Sequence, residues 1–383
     1  MSFLHIPFIQ PLSPLKFFSA KTENHQYFPF SSQRIRYYYL ARNGIWHAID
    51  SFGLRPGDGV LMPAYHHGVE VEVLKKKGLR LFYYRIDDKM QIDLDYLESL
   101  IKSLISSNVR LLYVIHYLGF PQPITKLCDF VSRHGLLLFE DCALSLFSKS
   151  NEGPLGSFGD ASIFCLYKTL SVPHGGMLVL NNPHLPLPSL PECPNLASTS
   201  EYLFKGLLSH FELKWDGVGH GFSFLLYNLG RTFKKISRFK NIQIDTNKFE
   251  EEVVSMGISR MTKFLINRVD AEKIVRRRRE NFLYLSRLLK GKVWMPFTDL
   301  PEGTCPLSFP IFARDKQDVY SRLISERVET ITFWSVGNPD IPEGMFPEVD
   351  FLRKHVLELP IHQELEKRQL DYIALKVKEF AKW

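Results

Sequence analysis

An aspartate and a lysine, each placed just after a short apolar run, are the residues of this sequence best suited to chemistry. The run 136–139 leads to Asp141, and the run 162–166 leads to Lys168. Buried parallel strands have this apolar character, and their carboxyl ends form the ligand-binding edge of an α/β sheet. We therefore expect Asp141 and Lys168 to reach one crevice from two strands.

These two groups together suit one kind of cofactor chemistry. A lysine amine can form a Schiff base with an aldehyde cofactor, and a buried carboxylate can keep a pyridine nitrogen protonated. Pyridoxal phosphate requires both. Taken alone, the pair more often indicates a capped turn and a solvated lysine, because most α/β proteins carry such residues.

Four sequence blocks around these residues occur in a recognisable order. They are RPGDGVLMPAY (55–65), VIHYLG (114–119), RHGLLLFEDCA (133–143) and GSFGDASIF (156–164), and Lys168 stands seven residues before a glycine pair. This arrangement resembles the DegT/StrS-type sugar aminotransferases, pyridoxal phosphate enzymes of fold-type I, over residues 40 to 180. The resemblance implies an α/β fold, with a large domain built on a mainly parallel, helix-flanked sheet and a small C-terminal α+β domain.

The resemblance also implies roles for individual residues. Lys168 would bind the cofactor and move a proton, and Asp141 would pair with the pyridine nitrogen. Asn43 and Gly44 would hold the phosphate, while His67 would cover the ring where the family has a larger aromatic residue. The family further implies a nucleotide-linked keto sugar as acceptor, glutamate as amino donor, and a homodimer with the site at the subunit interface.

Several positions depart from the family pattern. Ile45 stands where a threonine hydroxyl is usual, and Leu144 replaces a glutamine that contacts the ring hydroxyl, with Ser145 beside it as a substitute. Cys165 replaces a serine, and Ile258 replaces an asparagine that reaches the neighbouring subunit's phosphate. The complete predicted cofactor-binding set is Asn43, Gly44, Ile45, His67, Asp141, Ser145, Cys165 and Lys168.

Two alternatives stay open at this point. The dehydratase branch of the same family carries histidine in place of the lysine, and Lys168 argues against it. A protein that keeps the fold but binds a sugar nucleotide or a partner without turnover is the second alternative. The losses at Ile45, Leu144 and Ile258 favour it.

The elements that would position these residues alternate along the chain. Strands are predicted at 60–62, 79–86, 109–116 and 177–180, with helices at 45–52, 94–104 and 124–133, which favours a parallel sheet covered by helices. The tail alternates strand 307–312, helix 315–326 and strand 328–333, then a block at 358–362 similar to the family's LPLH block and a helix ending near 380. We predict an arm at 1–35, a large domain at 36–245 with an insertion over the cleft at 182–245, and a small domain at 246–383.

Composition excludes several classes of protein. The chain has 383 residues, of which 45% are hydrophobic and 23% charged, as in globular proteins. No apolar run approaches the roughly 20 residues of a membrane span, and prolines at 7, 11 and 14 make the start a poor signal peptide. We therefore predict a cytoplasmic protein without membrane association.

Metal and nucleic acid are not expected as ligands. The five cysteines are widely spaced without a CxxC pattern, which indicates neither disulfides nor zinc. His66 and His67 are adjacent, so on a helix they would point about 100° apart, and no third ligand is near. The net charge of +7 comes with no nucleic-acid motif and would equally suit an anionic cofactor or a nucleotide sugar.

Overall fold

The apolar runs predicted as strands form the centre of a seven-stranded sheet in a computed structural model that describes residues 4–22, 26–194, 199, 202–215 and 248–381. The strands are β1 (Ile35–Tyr38), β2 (Gly59–Pro63), β3 (Arg80–Tyr84), β4 (Val109–Ile115), β5 (Leu137–Asp141), β6 (Ala161–Cys165) and β7 (Gly176–Leu180). Their order is β1-β7-β6-β5-β4-β2-β3. Strands β3, β2, β4, β5 and β6 run parallel, while β7 and β1 complete one edge in antiparallel pairing. The predicted mainly parallel sheet is therefore confirmed.

Four helices accompany this sheet. They are α1 (Ala41–Ser51), α2 (Val69–Lys76), α3 (Leu94–Ser103) and α4 (Ile124–His134). Helix α3 begins where the Asp93 side chain accepts a hydrogen bond from Tyr96 N at 2.9 Å, and α4 ends at Gly135, whose φ of 64° is easily reached by glycine. Helix α1 begins four residues earlier than predicted, without any side-chain cap.

The C-terminal residues form an α+β arrangement, as predicted. The helices are α5 (Arg260–Ile266), α6 (Ala271–Leu289), α7 (Lys316–Ser325), α8 (Pro347–His355) and α9 (Lys367–Phe380). A three-stranded antiparallel sheet has the order β8-β10-β9, with β8 at Phe309–Phe312, β9 at Ile331–Thr332 and β10 at Val356–Leu359. The predicted strand 328–333 is reduced to two residues, because only Ile331 and Thr332 pair with β10.

The first described residues pack against distant parts of the chain. Ile6 N donates to Arg327 O at 2.9 Å, and Glu329 N donates to Ile6 O at 2.9 Å. Farther along, Leu12 N donates to Gly206 O at 3.0 Å. The predicted domain boundaries at 35/36 and 245/246 stay predictions. The basic run 231–240, which is part of the predicted insertion, and the rest of residues 216–247 lie outside the described residues.

A search of the described helices for a membrane-crossing segment found none that is both long and apolar enough.

Candidate active site

Asp141 and Lys168 line one cavity of about 210 Å³ at the carboxyl edge of the sheet. Asp141 is the last residue of β5, and Lys168 follows three residues after the end of β6. Ile45, His67 and Cys165 also line this cavity, so the fold brings together five of the eight predicted cofactor-binding residues. Their contacts with a cofactor stay predictions.

Both carboxylate oxygens of Asp141 accept hydrogen bonds. Oδ2 accepts from the Tyr113 hydroxyl at 2.6 Å, and Oδ1 accepts from Ala143 N at 2.9 Å. Burial, followed by the negative charge of Glu70, raises the pKa of Asp141 to about 6, although Tyr113, Ala143 and Lys168 pull it down. The carboxylate is thus held in a fixed orientation and remains largely ionised at neutral pH.

Glu70 is a second carboxylate of this cavity that sequence reasoning missed. It lies in the first turn of α2, is 7% exposed, and accepts a hydrogen bond from His67 N at 2.8 Å. Burial raises its pKa, while hydrogen bonds and the charge of Lys168 oppose that effect. Its position between Val69 and Val71, on the same helix face as Val73 and Leu74, was an available signal, because an acid on an apolar face is uncommon.

Lys168 is half-buried, and in the part of the chain that the structure describes its Nζ has neither a hydrogen-bond acceptor nor an ion-pair partner. The backbone around it is fixed: Leu166 N donates to Gly175 O at 2.8 Å, and Gln10 Nε2 donates to Tyr167 O at 2.9 Å. An amine presented in this way is available to react with a ligand in the cavity.

His67 and Trp334 form the boundary between this cavity and a larger one. The two rings meet edge to face, with centroids 6.3 Å apart, and both residues line both cavities. Withdrawal from water, and next the charge of Lys168, lower the pKa of His67 to about 4, so its ring is neutral at physiological pH. Trp334, which has a positive φ of 37°, carried no recognisable signal in the sequence.

Three predicted residues, Asn43, Gly44 and Ser145, are not among those that line the cavity. The Asn43 amide donates to Val253 O at 2.7 Å, and the Ser145 hydroxyl donates to His116 O at 2.6 Å. A Cβ on Gly44 would lie 2.5 Å from Ile163 Cδ1, so this glycine allows α1 to pack closely on β6. Cofactor contacts by these side chains stay predictions.

The start of α1 nevertheless reaches the cavity. Leu40, Ala41 and Arg42 line it, and backbone N–H groups at a helix start attract anions. The Arg42 guanidinium donates to Lys248 O at 2.7 Å. This end of the cavity is therefore the one suited to a phosphate.

His116, Glu140 and Cys142 form a buried cluster behind the cavity. His116 Nε2 lies 3.0 Å from Glu140 Oε2, and the Glu140 carboxylate also accepts from Gly156 N at 2.9 Å and Gly159 N at 2.6 Å. These bonds hold the loop between β5 and β6.

A larger cavity of about 910 Å³ adjoins the first and shares Lys168 with it. Its walls include Leu144, Phe333 and Asn338, and its floor includes Glu358 of β10. Cavities of several hundred Å³ are typical of small-molecule sites. A ligand in this space would contact the seven-stranded sheet's edge on one side and the small sheet on the other.

Comparison with known proteins agrees with this arrangement. Residues 41–187 match the DegT/DnrJ/EryC1/StrS aminotransferase family. A GDP-perosamine synthase from Vibrio cholerae is 28% identical over 35% of this chain and 36% of its own length. The first curated relatives are matched over only 34% to 37% of their own length.

Two further similarities extend over most of the chain. A protein from Geobacillus stearothermophilus named pleiotropic regulatory protein is 21% identical over 87% of this chain and 81% of its own length. The crystal structure of a DegT DnrJ EryC1 StrS aminotransferase from Brucella abortus covers 97% of this chain and 91% of its own, with a TM-score of 0.65 and 16% identity. Residues 41–187 are therefore similar to the DegT/DnrJ/EryC1/StrS aminotransferase family, and nearly the whole chain shares the fold of the Brucella abortus structure.

Proposed function

We propose that this chain is a pyridoxal phosphate-dependent aminotransferase that moves an amino group from glutamate to a nucleotide-linked keto sugar. The observation that carries the proposal is the presence of Lys168 and Asp141 in the walls of one small cavity at the sheet edge. The relatives' names support the acceptor class, since they include a GDP-perosamine synthase and a dTDP-4-dehydro-2,3,6-trideoxy-D-glucose 4-aminotransferase.

The residues present fit the cofactor. The start of α1 offers backbone N–H groups for a phosphate, Asp141 offers an oriented carboxylate for a ring nitrogen, and Lys168 offers an amine without a partner among the described residues. When bound, pyridoxal phosphate supplies an electron sink for the substrate carbon. Lys168 would hold the cofactor and then carry a proton to and from that carbon, a role worth about 10² to 10⁴ in rate.

The proposal includes the assembly implied by the resemblance and the compartment predicted from the composition. We propose a homodimer with its site at the subunit interface, located in the cytoplasm. The support for the compartment is that Cys128, Cys142, Cys165, Cys193 and Cys305 are all free thiols, as is usual in a reducing cytoplasm.

The first test of this function is cofactor binding. We expect wild-type protein titrated with pyridoxal phosphate to gain an absorbance band near visible wavelengths, and borohydride followed by peptide mapping to fix the cofactor on Lys168. The variant Lys168→Ala should not become covalently attached to the cofactor. Its rate of amino transfer should fall at least about 10²-fold. Lys149→Ala changes an exposed lysine of the preceding loop and should behave as wild type.

A protein that remains colourless and unlabelled would refute the proposed chemistry. It would favour the second candidate, a protein that binds a sugar nucleotide or a partner without turnover. The observation on the side of this candidate is the similarity, over 87% of the chain, to a protein named as a regulator.

A further inference from the structure

Glu358 is a buried carboxyl group that the proposed chemistry does not use. It lies in β10, the middle strand of the small sheet, opposite Pro310 on one neighbour and Ile331 on the other. Because side chains alternate along a strand, Glu358 points away from the face on which Leu357 and Leu359 are fully buried. Its side chain instead lines the larger cavity, together with Lys168.

Only one of the two carboxyl oxygens of Glu358 has a hydrogen-bond partner among the described residues. Oε2 accepts a hydrogen bond from the Ser308 hydroxyl at 2.5 Å, whereas Oε1 has no hydrogen-bond partner within the described residues. The residue is 3% exposed. A buried carboxyl group is costly unless it finds partners, so an unused acceptor in a cavity wall indicates a group that the ligand satisfies.

The charge distribution favours a hydrogen-bond donor as the ligand group that pairs with Glu358. Burial raises the pKa of Glu358 to about 7, while Ser308 and the charge of Lys168 lower it, so a large share of molecules carries a carboxylate at neutral pH. Neither Lys168 nor Glu358 forms an ion pair with any residue that the structure describes. Because both residues line the larger cavity, a substrate bound there can contact both.

We infer that Glu358 is a specificity-determining residue that accepts a hydrogen bond from a hydroxyl on the carbon next to the substrate's carbonyl. This inference rests on the proposed function, because Lys168 defines where the reacting carbonyl lies. The preferred substrate class is then a keto sugar that keeps its neighbouring hydroxyl. Sugars that are deoxygenated at that carbon leave the carboxylate unpaired, and such a site discriminates strongly against them.

The test compares two nucleotide sugars that differ by one hydroxyl. The probes are the 4-dehydro-2,6-dideoxy- and 4-dehydro-2,3,6-trideoxy-D-glucose conjugates of whichever nucleotide, GDP, UDP or dTDP, the wild type binds best. Calorimetry gives the ratio of their dissociation constants, and amino transfer gives the ratio of kcat/KM. A hydrogen bond to a charged group predicts a preference of about 10- to 100-fold for the hydroxyl-bearing probe in both ratios.

The variant Glu358→Gln keeps the side-chain volume and an oxygen for the Ser308 hydroxyl, but presents an NH₂ donor to the cavity. We expect the preference to fall about tenfold. Glu364→Gln, in the segment after β10 but lining a different cavity, is the matched control and should keep the wild-type ratio. A thermal melt shows whether both variants fold.

The outcomes separate this inference from the proposed function. An unchanged ratio in a folded Glu358→Gln protein that still binds pyridoxal phosphate and transfers amino groups would overturn the role of Glu358 alone. If the variant does not fold, the wild type alone still tests the inference. Equal dissociation constants and equal kcat/KM for the two probes would then overturn the role of Glu358. Wild-type protein that binds neither probe, with or without pyridoxal phosphate, would overturn both.

Discussion

The Asp141 carboxylate depends for its ionisation on the hydrogen bonds around it, and Tyr113 supplies the most direct one. The 2.6 Å bond from Tyr113 stabilises the ionised form, so Tyr113→Phe should raise the pKa of Asp141, now about 6, by about one to two units. At neutral pH about half or more of Asp141 would then be protonated in the variant. NMR titration of the Asp141 carboxyl carbon measures this shift directly.

A matched control for that experiment lies on β3, two strands from β4 in the sheet. Tyr84 is equally buried, and its hydroxyl donates to Tyr113 O at 2.8 Å without reaching Asp141. Tyr84→Phe should therefore leave the pKa of Asp141 near 6. Equal shifts in both variants would mean that loss of any buried hydroxyl, and not the hydrogen bond itself, controls the carboxylate.

At the residue scale, the sequence located those side chains whose position follows from a strand end. Asp141 and Lys168 were predicted to share a crevice, and both line the same cavity. Glu358 was missed because its burial arises from the packing around β10, which no local pattern encodes, whereas the signal for Glu70 on the apolar face of α2 was present but not used. The loop that carries Trp334 likewise gains its meaning only when the C-terminal residues reach the sheet edge.

At the element scale, strands with continuous apolar character were predicted well, and weakly marked boundaries were not. Helix α1 begins at Ala41 after Leu40, which offers no capping side chain, so the predicted start at Ile45 followed the apolar spacing instead. Strand β1 is an antiparallel edge of four residues, rich in polar and aromatic groups, and β9 has two residues. Such short segments depend on their partners and not on their own sequence.

Gly119, just after β4, is a point of close approach between the large sheet and the C-terminal part. A Cβ there would lie 2.3 Å from Cys305 O, and the residue has a φ of 98°; next to it, Leu307 N donates to Leu118 O at 3.0 Å. Gly119→Ala should combine backbone strain with a clash against main-chain atoms. We expect a loss of about 2 to 4 kcal/mol in the free energy of unfolding, measured with urea.

Gly135 provides the comparison, because its φ is 64° but no described atom beyond its chain neighbours lies within 4 Å of the position that a Cβ would occupy. Gly135→Ala should cost only the strain of a left-handed alanine, about 1 kcal/mol. If both variants lose the same amount, the close approach of residues 119 and 305 does not hold the two parts together.

At the scale of the whole molecule, the first described residues join segments that are far apart in sequence. His5 lies between two carboxylates, with Nδ1 2.8 Å from Glu212 Oε2 and Nε2 3.1 Å from Glu329 Oε1. Burial disfavours its charged form, yet the hydrogen bonds and charges of Glu212 and Glu329 outweigh burial and raise the pKa from 6.5 to about 9. The sequence predicted an arm that packs on the body, but not this ion-pair cluster, since its partners are 207 and 324 residues away.

This cluster should make the attachment of residues 4–12 depend on pH. A group whose pKa is raised on folding stabilises the fold fully below its unfolded pKa, here 6.5, and loses that contribution as the pH rises through about 9. From pH 6 to pH 9.5 we expect wild-type protein to lose on the order of 1 to 2 kcal/mol more unfolding free energy than His5→Gln, after allowance for the solvent exposure of Glu329. Urea unfolding at both pH values measures this difference, and hydrogen exchange of residues 4–12 shows whether the arm opens first.

His184→Gln, which changes an exposed histidine, should follow the wild type. Parallel pH profiles for wild type and His5→Gln would show that the arm is held by its apolar contacts and backbone hydrogen bonds alone.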